Sequence, residues 1–150
     1  MTCFASVIDQ KAGSIRYVSC GHTAPYLLRA TAERAELHAL VGRGNPLGTG
    51  ETGERAEEGR YKVVERTLAP GDLVVWYTDG VIDAQDPAGK PFGDRRLQHL
   101  LRRLERTRVV PVGVHDTLQA SLAAHRAGQP LADDETVVVA QLGVVAGVAP

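Results

Sequence analysis

Leu73-Val74-Val75-Trp76-Tyr77-Thr78-Asp79-Gly80-Val81-Ile82-Asp83 is the stretch on which the fold turns. The apolar run Leu73–Tyr77 does not alternate with polar residues, which is the pattern of a strand buried on both faces. Just ahead of it, Ala69-Pro70-Gly71-Asp72 is a tight turn: proline fixes one dihedral and glycine supplies a positive φ. Two acids, Asp79 and Asp83, follow the strand directly. Near the end of the chain the order is reversed. There Asp133-Asp134-Glu135-Thr136 precedes Val137-Val138-Val139-Ala140, which reads as a second strand buried on both faces. If the two strands lie antiparallel and close together, the end of one and the start of the other share a sheet edge, and their carboxylates converge.

Converging carboxylates raise one another's pKa unless a cation sits among them. Oxygen donors without His or Cys suit hard ions such as Mg²⁺ or Mn²⁺. Gly80 removes a side chain beside Asp79 and permits a tight turn or a close approach. From spacing alone two readings stand side by side: a cation site, or ordinary acids at strand ends and turns.

Outward from these strands, Cys3–Asp9 and Ser14–Cys20 form a hairpin around Gln10-Lys11-Ala12-Gly13. Pro25–Arg29, Glu36–Val41 and Tyr61–Leu68 are further short strands, and 42–59 is loop, punctured by Gly and Pro. Two helices separate the buried strands. Asp94–Thr107 carries Leu97, Leu100, Leu101 and Leu104 on one stripe, and Val114–Ala127 carries Val114, Leu118 and Leu122, with Gly128 as its stop. The pattern favours an α+β fold with a mainly antiparallel sheet, although two intervening helices also allow a parallel final unit.

The 150 residues suit one domain, here 1–142 followed by a fraying small apolar tail, 143–150. A formal net charge of -1 gives no global pull toward nucleic acid or an anionic membrane. Met1–Asp9 lacks the basic-then-apolar order of a signal peptide, and no apolar run approaches the roughly 18 residues that span a bilayer. Two cysteines, Cys3 and Cys20, do not make a disulfide framework, so a cytoplasmic protein with reduced thiols is expected.

Several blocks in order resemble a known family. Ser19-Cys20-Gly21-His22-Thr23-Ala24-Pro25 is similar to its Gly-His turn and Asn45-Pro46-Leu47-Gly48 to its Pro-Leu-Gly loop. Pro70-Gly71-Asp72, the strand and Tyr77-Thr78-Asp79-Gly80-Val81-Ile82-Asp83-Ala84 resemble its signature block. Phe92-Gly93-Asp94-Arg95-Arg96-Leu97 and Asp133-Asp134-Glu135-Thr136 follow. Each block is weak alone; the ordered set, from about Thr2 to Leu142, resembles the C-terminal part of PPM-type (PP2C-like) protein serine phosphatases of the SpoIIE/RsbU branch.

The resemblance implies a β-sandwich of mainly antiparallel sheets flanked by helices, with a binuclear Mn²⁺ or Mg²⁺ centre at one end. It implies Asp79 and Asp133 as metal ligands and Asp83 as the counterpart of an acid serving an additional metal. Gly80, Asp134, Thr78, Gly21 and His22 are supporting positions. Hydrolysis would proceed through a metal-activated water, with no covalent phosphoenzyme. The implied substrate is a phosphorylated regulatory protein of the anti-anti-sigma type.

The family's Gly-Asp-x-x-Asp and Gly-Asp-x-x-Gly-His-Gly segments have no counterpart here, so the N-terminal part of the fold is expected to be missing. That fits a truncated product, a mis-called gene start, or half of a split or degenerate protein. Unpaired strand edges would then favour a homo-oligomer. Glu135 also stands where the family is usually apolar. The alternative is a catalytically inactive fragment that acts as a partner-binding module in a sigma-factor regulatory pathway.

Other constellations carry less. Cys20 and His22 would share a strand face, but no oxyanion loop or orienting third residue accompanies them. Cys3, Cys20 and His22 lack a fourth zinc ligand. The arginines of 95–108 read as the solvated face of an amphipathic helix, with an acidic partner protein as the secondary reading. His38, His99, His115 and His125 lack ligand-like spacing and receive no role.

Overall fold

The structure, a computed structural model, describes residues 1–32, 35–49 and 61–143. Much of the expected loop 42–59, and the expected tail beyond Gly143, lie outside the described residues.

Two antiparallel sheets pack as layers. The first has strands β1 (Cys3–Asp9), β2 (Ser14–Cys20) and β5 (Val64–Thr67), in the order β1-β2-β5. The second has β3 (Tyr26–Ala30), β4 (Ala35–Ala39), β6 (Leu73–Tyr77) and β7 (Val137–Gln141), in the order β4-β3-β6-β7. The expected hairpin is β1 and β2, paired in register from Cys3 with Cys20 to Asp9 with Ser14. Its turn is closed by the Asp9 carboxylate, which accepts the Lys11 and Ala12 amides at 2.9 Å.

Strand β6 is central and buried on both faces, as its sequence requires. Leu73 and Val75 face a core shared with the helices, while Val74 faces Ile15, Tyr17 and Leu27 between the sheets. The helical layer consists of α1 (Asp79–Asp83), α2 (Asp94–Arg102) and α3 (Pro111–Arg126). Leu97, Leu101, Val114, Leu118 and Leu122 are buried against the second sheet. Each such side chain contributes roughly 1.5–3 kcal/mol of apolar burial.

Three expectations need correction. Strand β7 is not buried on both faces: it ends its sheet, and Val138 is 52% exposed. The helix expected over Asp94–Thr107 stops at Arg102, and Arg106–Arg108 form a separate 3-10 turn. The break lets both Leu104 and Val109 enter the core, whereas a continuous helix would set them about 140° apart. The second helix starts earlier than Val114, with Pro111 in its first turn, where the missing N–H costs nothing. The final unit is antiparallel, β6 against β7, the arrangement the sequence favours over the parallel one it also allows.

Candidate metal centre

The register of β6 with β7 fixes the geometry. Tyr77 pairs with Val137, so Thr78-Asp79 leaves the sheet where Asp133–Thr136 enters it. Thr78 stands at the N-cap of α1 but does not cap it; its hydroxyl bridges instead. Thr78 Oγ1 donates to the Asp134 carbonyl at 2.8 Å and accepts the Thr136 amide at 3.0 Å. The Thr78 amide in turn donates to the Thr136 carbonyl at 3.1 Å.

Gly80 is required by close approach. A Cβ there would lie 2.5 Å from the Asp134 carbonyl oxygen and 3.5 Å from the Asp133 carbonyl carbon. The backbones that carry Asp79 and Asp133 are therefore in contact. Both aspartates are exposed, and each engages one oxygen with the next amide: Asp79 Oδ1 with Gly80 N at 3.2 Å, Asp133 Oδ1 with Asp134 N at 2.7 Å. Asp83 closes α1 four residues after Asp79, a spacing that puts both on one side of a helix, and is likewise exposed. Asp134 contributes its carbonyl to the bridge and leaves its exposed carboxylate outside it.

The Gly-His turn lies at the same end. Thr23 Oγ1 donates to the Tyr77 carbonyl at 3.0 Å, beside the start of the Thr78-Asp79 segment. Gly21 has φ +71°, and a Cβ there would meet Pro46 Cγ at 2.7 Å, so this turn and the Pro-Leu-Gly loop pack directly. His22 faces Thr2, with Nδ1 3.5 Å from Thr2 Oγ1, and touches none of the acids. The positive φ at Gly21 also ends β2 at Cys20, so buried Cys20 and His22 do not share a strand face as expected.

The donor chemistry fits a hard divalent cation. Such ions are commonly held by one or two carboxylates, with water and substrate phosphate completing the shell. Asp79 and Asp133 offer two exposed carboxylates on touching backbones. Among the described residues no three His, Cys, Asp or Glu side chains gather into a fuller ligand set.

Sequence reasoning missed two residues that support this end. His125 and Arg126, in the last turn of α3, reach the segments that follow Asp83 and Asp133. The available signal was Glu135: a charge at a position expected to be apolar requires a partner.

Comparison with known proteins agrees with this architecture. Residues 1–143 match the family model of Stage II sporulation protein E (SpoIIE). The chain is 26% identical over 137 residues to Protein IcfG of Synechocystis sp., covering 91% of this chain and 20% of that protein. The SiaA-PP2C domain of Pseudomonas aeruginosa superposes with a TM-score of 0.71 at 22% identity, over 93% of this chain and 51% of the other. The Mn-presoaked phosphatase domain of the cell fate determinant SpoIIE from Bacillus subtilis gives 0.64 at 22% identity, over 95% and 57%. These likenesses establish the PP2C-like fold, and this chain spans about half the length of the solved chains. On the match over residues 1–143, the chain belongs to the SpoIIE family.

Proposed function

We propose that this chain is the C-terminal portion of a metal-dependent protein serine/threonine phosphatase domain acting on a phosphorylated regulatory protein of the anti-anti-sigma type. One observation carries the reading: Thr78 and Gly80 bring the backbones of Asp79 and Asp133 into contact in a chain of the SpoIIE family. Asp79 and Asp133 would hold Mn²⁺ or Mg²⁺, with Asp83 at the side of a further ion. Such ions supply Lewis-acid stabilisation of phosphoryl charge and lower the pKa of a coordinated water.

The chain's own residues orient the acids. Thr78 fixes the register between the two acid-bearing segments through its hydroxyl, and Gly80 lets them touch. Substrate would approach from solvent, since Asp79, Asp83 and Asp133 are exposed. No helix among the described residues is long and apolar enough to cross a membrane.

A second reading, a catalytically silent partner-binding module, is favoured by the lack of a three-ligand group among the described residues. In either case β1 and β7 end their sheets, and exposed Val7 and Val138 on them favour self-association. A clean monomer by sizing chromatography contradicts that part.

Hydrolysis of a small aryl phosphate, measured with and without Mn²⁺ in parallel with Asp79→Asn, separates the two readings. Mn²⁺-dependent turnover that disappears in the variant supports the enzyme. No turnover in the unaltered chain supports the module.

A further inference from the structure

The last turn of α3 holds two adjacent residues, His125 and Arg126, that reach in two directions. His125 Nε2 lies 3.1 Å from the Ala84 carbonyl and 3.0 Å from the Lys90 carbonyl, in the loop that leaves α1. Its Nδ1 meets Arg96 Nη1 from α2. Carbonyls only accept and guanidinium only donates, so Nε2 carries the hydrogen and Nδ1 receives one. The Phe92 ring packs edge-on against the imidazole, with centroids 5.4 Å apart, and fixes its plane. The end of α1 is thereby pinned, with Ala84 O also accepting the Phe92 amide at 2.8 Å.

Arg126 reaches the other segment. Its Nη1 lies 3.2 Å from Glu135 Oε1, with side-chain exposures of 18% and 7%. This pair is screened from solvent, unlike the surface pairs His38–Glu36 and His115–Asp116. It also accounts for an acid at a position where an apolar residue was expected: Glu135 points inward to a cation rather than into the core.

We propose that His125 and Arg126 are positioning residues, a clamp in which one helical turn sets the Asp79–Asp83 segment and the Asp133–Thr136 segment relative to each other. Neither side chain touches the acids, and both act through what they hold: the carbonyls after Asp83, and Glu135 two residues after Asp133. The clamp rests on the reading of Asp79 and Asp133 as cation ligands.

The test is Mn²⁺ titration of the ¹⁵N-labelled chain, following paramagnetic broadening of the Gly80 and Asp134 amides. In the unaltered chain both broaden over one Mn²⁺ range, and Asp79→Asn abolishes this. His125→Phe and Arg126→Met each raise the Mn²⁺ needed for half-broadening by roughly 10-fold, the usual scale for groups that orient metal ligands. The exchanged pair Arg126→Glu with Glu135→Arg restores it. The Val74 and Val75 amides, in the centre of the sheet, report whether each variant is folded. If Gly80 and Asp134 do not broaden together in the unaltered chain, the ligand reading fails and takes the clamp with it. If they do, Asp79→Asn abolishes the effect, and both folded clamp variants titrate like the unaltered chain, then the clamp alone is overturned.

Discussion

Two sets of aspartates, Asp72 with Asp94 and Asp79 with Asp133, have surroundings that differ in kind. Asp94, at the start of α2, accepts Tyr26 Oη at 2.6 Å, Tyr77 Oη at 3.3 Å and Gln98 Nε2 at 2.7 Å. Tyr26 and Tyr77 stack at 5.9 Å with nearly parallel rings, so a single carboxylate ties α2 to two neighbouring strands. Asp72, 2% exposed, is held likewise by the Arg29 fork at 2.9 and 2.7 Å and by the Ala69 amide at 2.8 Å. Among the described residues Asp79 and Asp133 have no such partners, and each bonds only the amide that follows it. The first set is committed to the fold. The second is held in place by its backbone while its carboxylates face solvent, the condition a ligand requires. Position at the end of a strand therefore does not separate the two sets of acids; the state of their lone pairs does.

That contrast can be broken at several points. Asp94→Ala leaves two buried tyrosine hydroxyls without their acceptor and should lower stability by about 3 kcal/mol in urea unfolding. A loss below about 1 kcal/mol would remove Asp94 from the structural set.

The same network predicts alkaline sensitivity. Burial first, and then the bond to Asp94, push the Tyr26 hydroxyl up to about 12 from 10.0, and burial pushes Tyr77 up as well. A raised folded pKa means stability that is full below pH 10 and declines as pH climbs toward 12, by on the order of 2 kcal/mol. Unfolding midpoints measured across that window check the slope, which Asp94→Ala should reduce only in part, because burial is the larger cause.

Gly80→Ala forces a Cβ against the Asp134 backbone and should cost about 2 kcal/mol while separating the two acid segments. Melting temperature and the exchange rate of the Thr136 amide read the two effects separately. The smallest change is expected where the acids are free: Asp79→Asn and Asp133→Asn should shift metal-free stability by no more than about 0.5 kcal/mol. A large loss from either would place that residue with Asp94.

Much of this was legible in the sequence, for physical reasons that differ by element. The β1–β2 hairpin was read with its full bounds because a turn glycine, Gly13, separates two strand-like runs. The convergence of Asp79 with Asp133 followed from acid-strand and strand-acid order plus antiparallel pairing. Strand β7 was misjudged because a run of valines looks the same at a sheet's centre and at its edge; only the pairing order β4-β3-β6-β7 distinguishes them. Helix α1 is five residues, too short to show a helical period, and its acids read as turn residues. His125 and Arg126 were invisible because their partners lie across the fold at Ala84, Lys90 and Glu135, and such contacts leave no local pattern.

Anomalous diffraction from crystals of this chain soaked in Mn²⁺ tests the central claim most directly. The account predicts a peak bonded to carboxylate oxygens of both Asp79 and Asp133, with none at Asp72 or Asp94. A peak on the committed acids, or Mn²⁺ bound elsewhere with Asp79 and Asp133 bare, would contradict it.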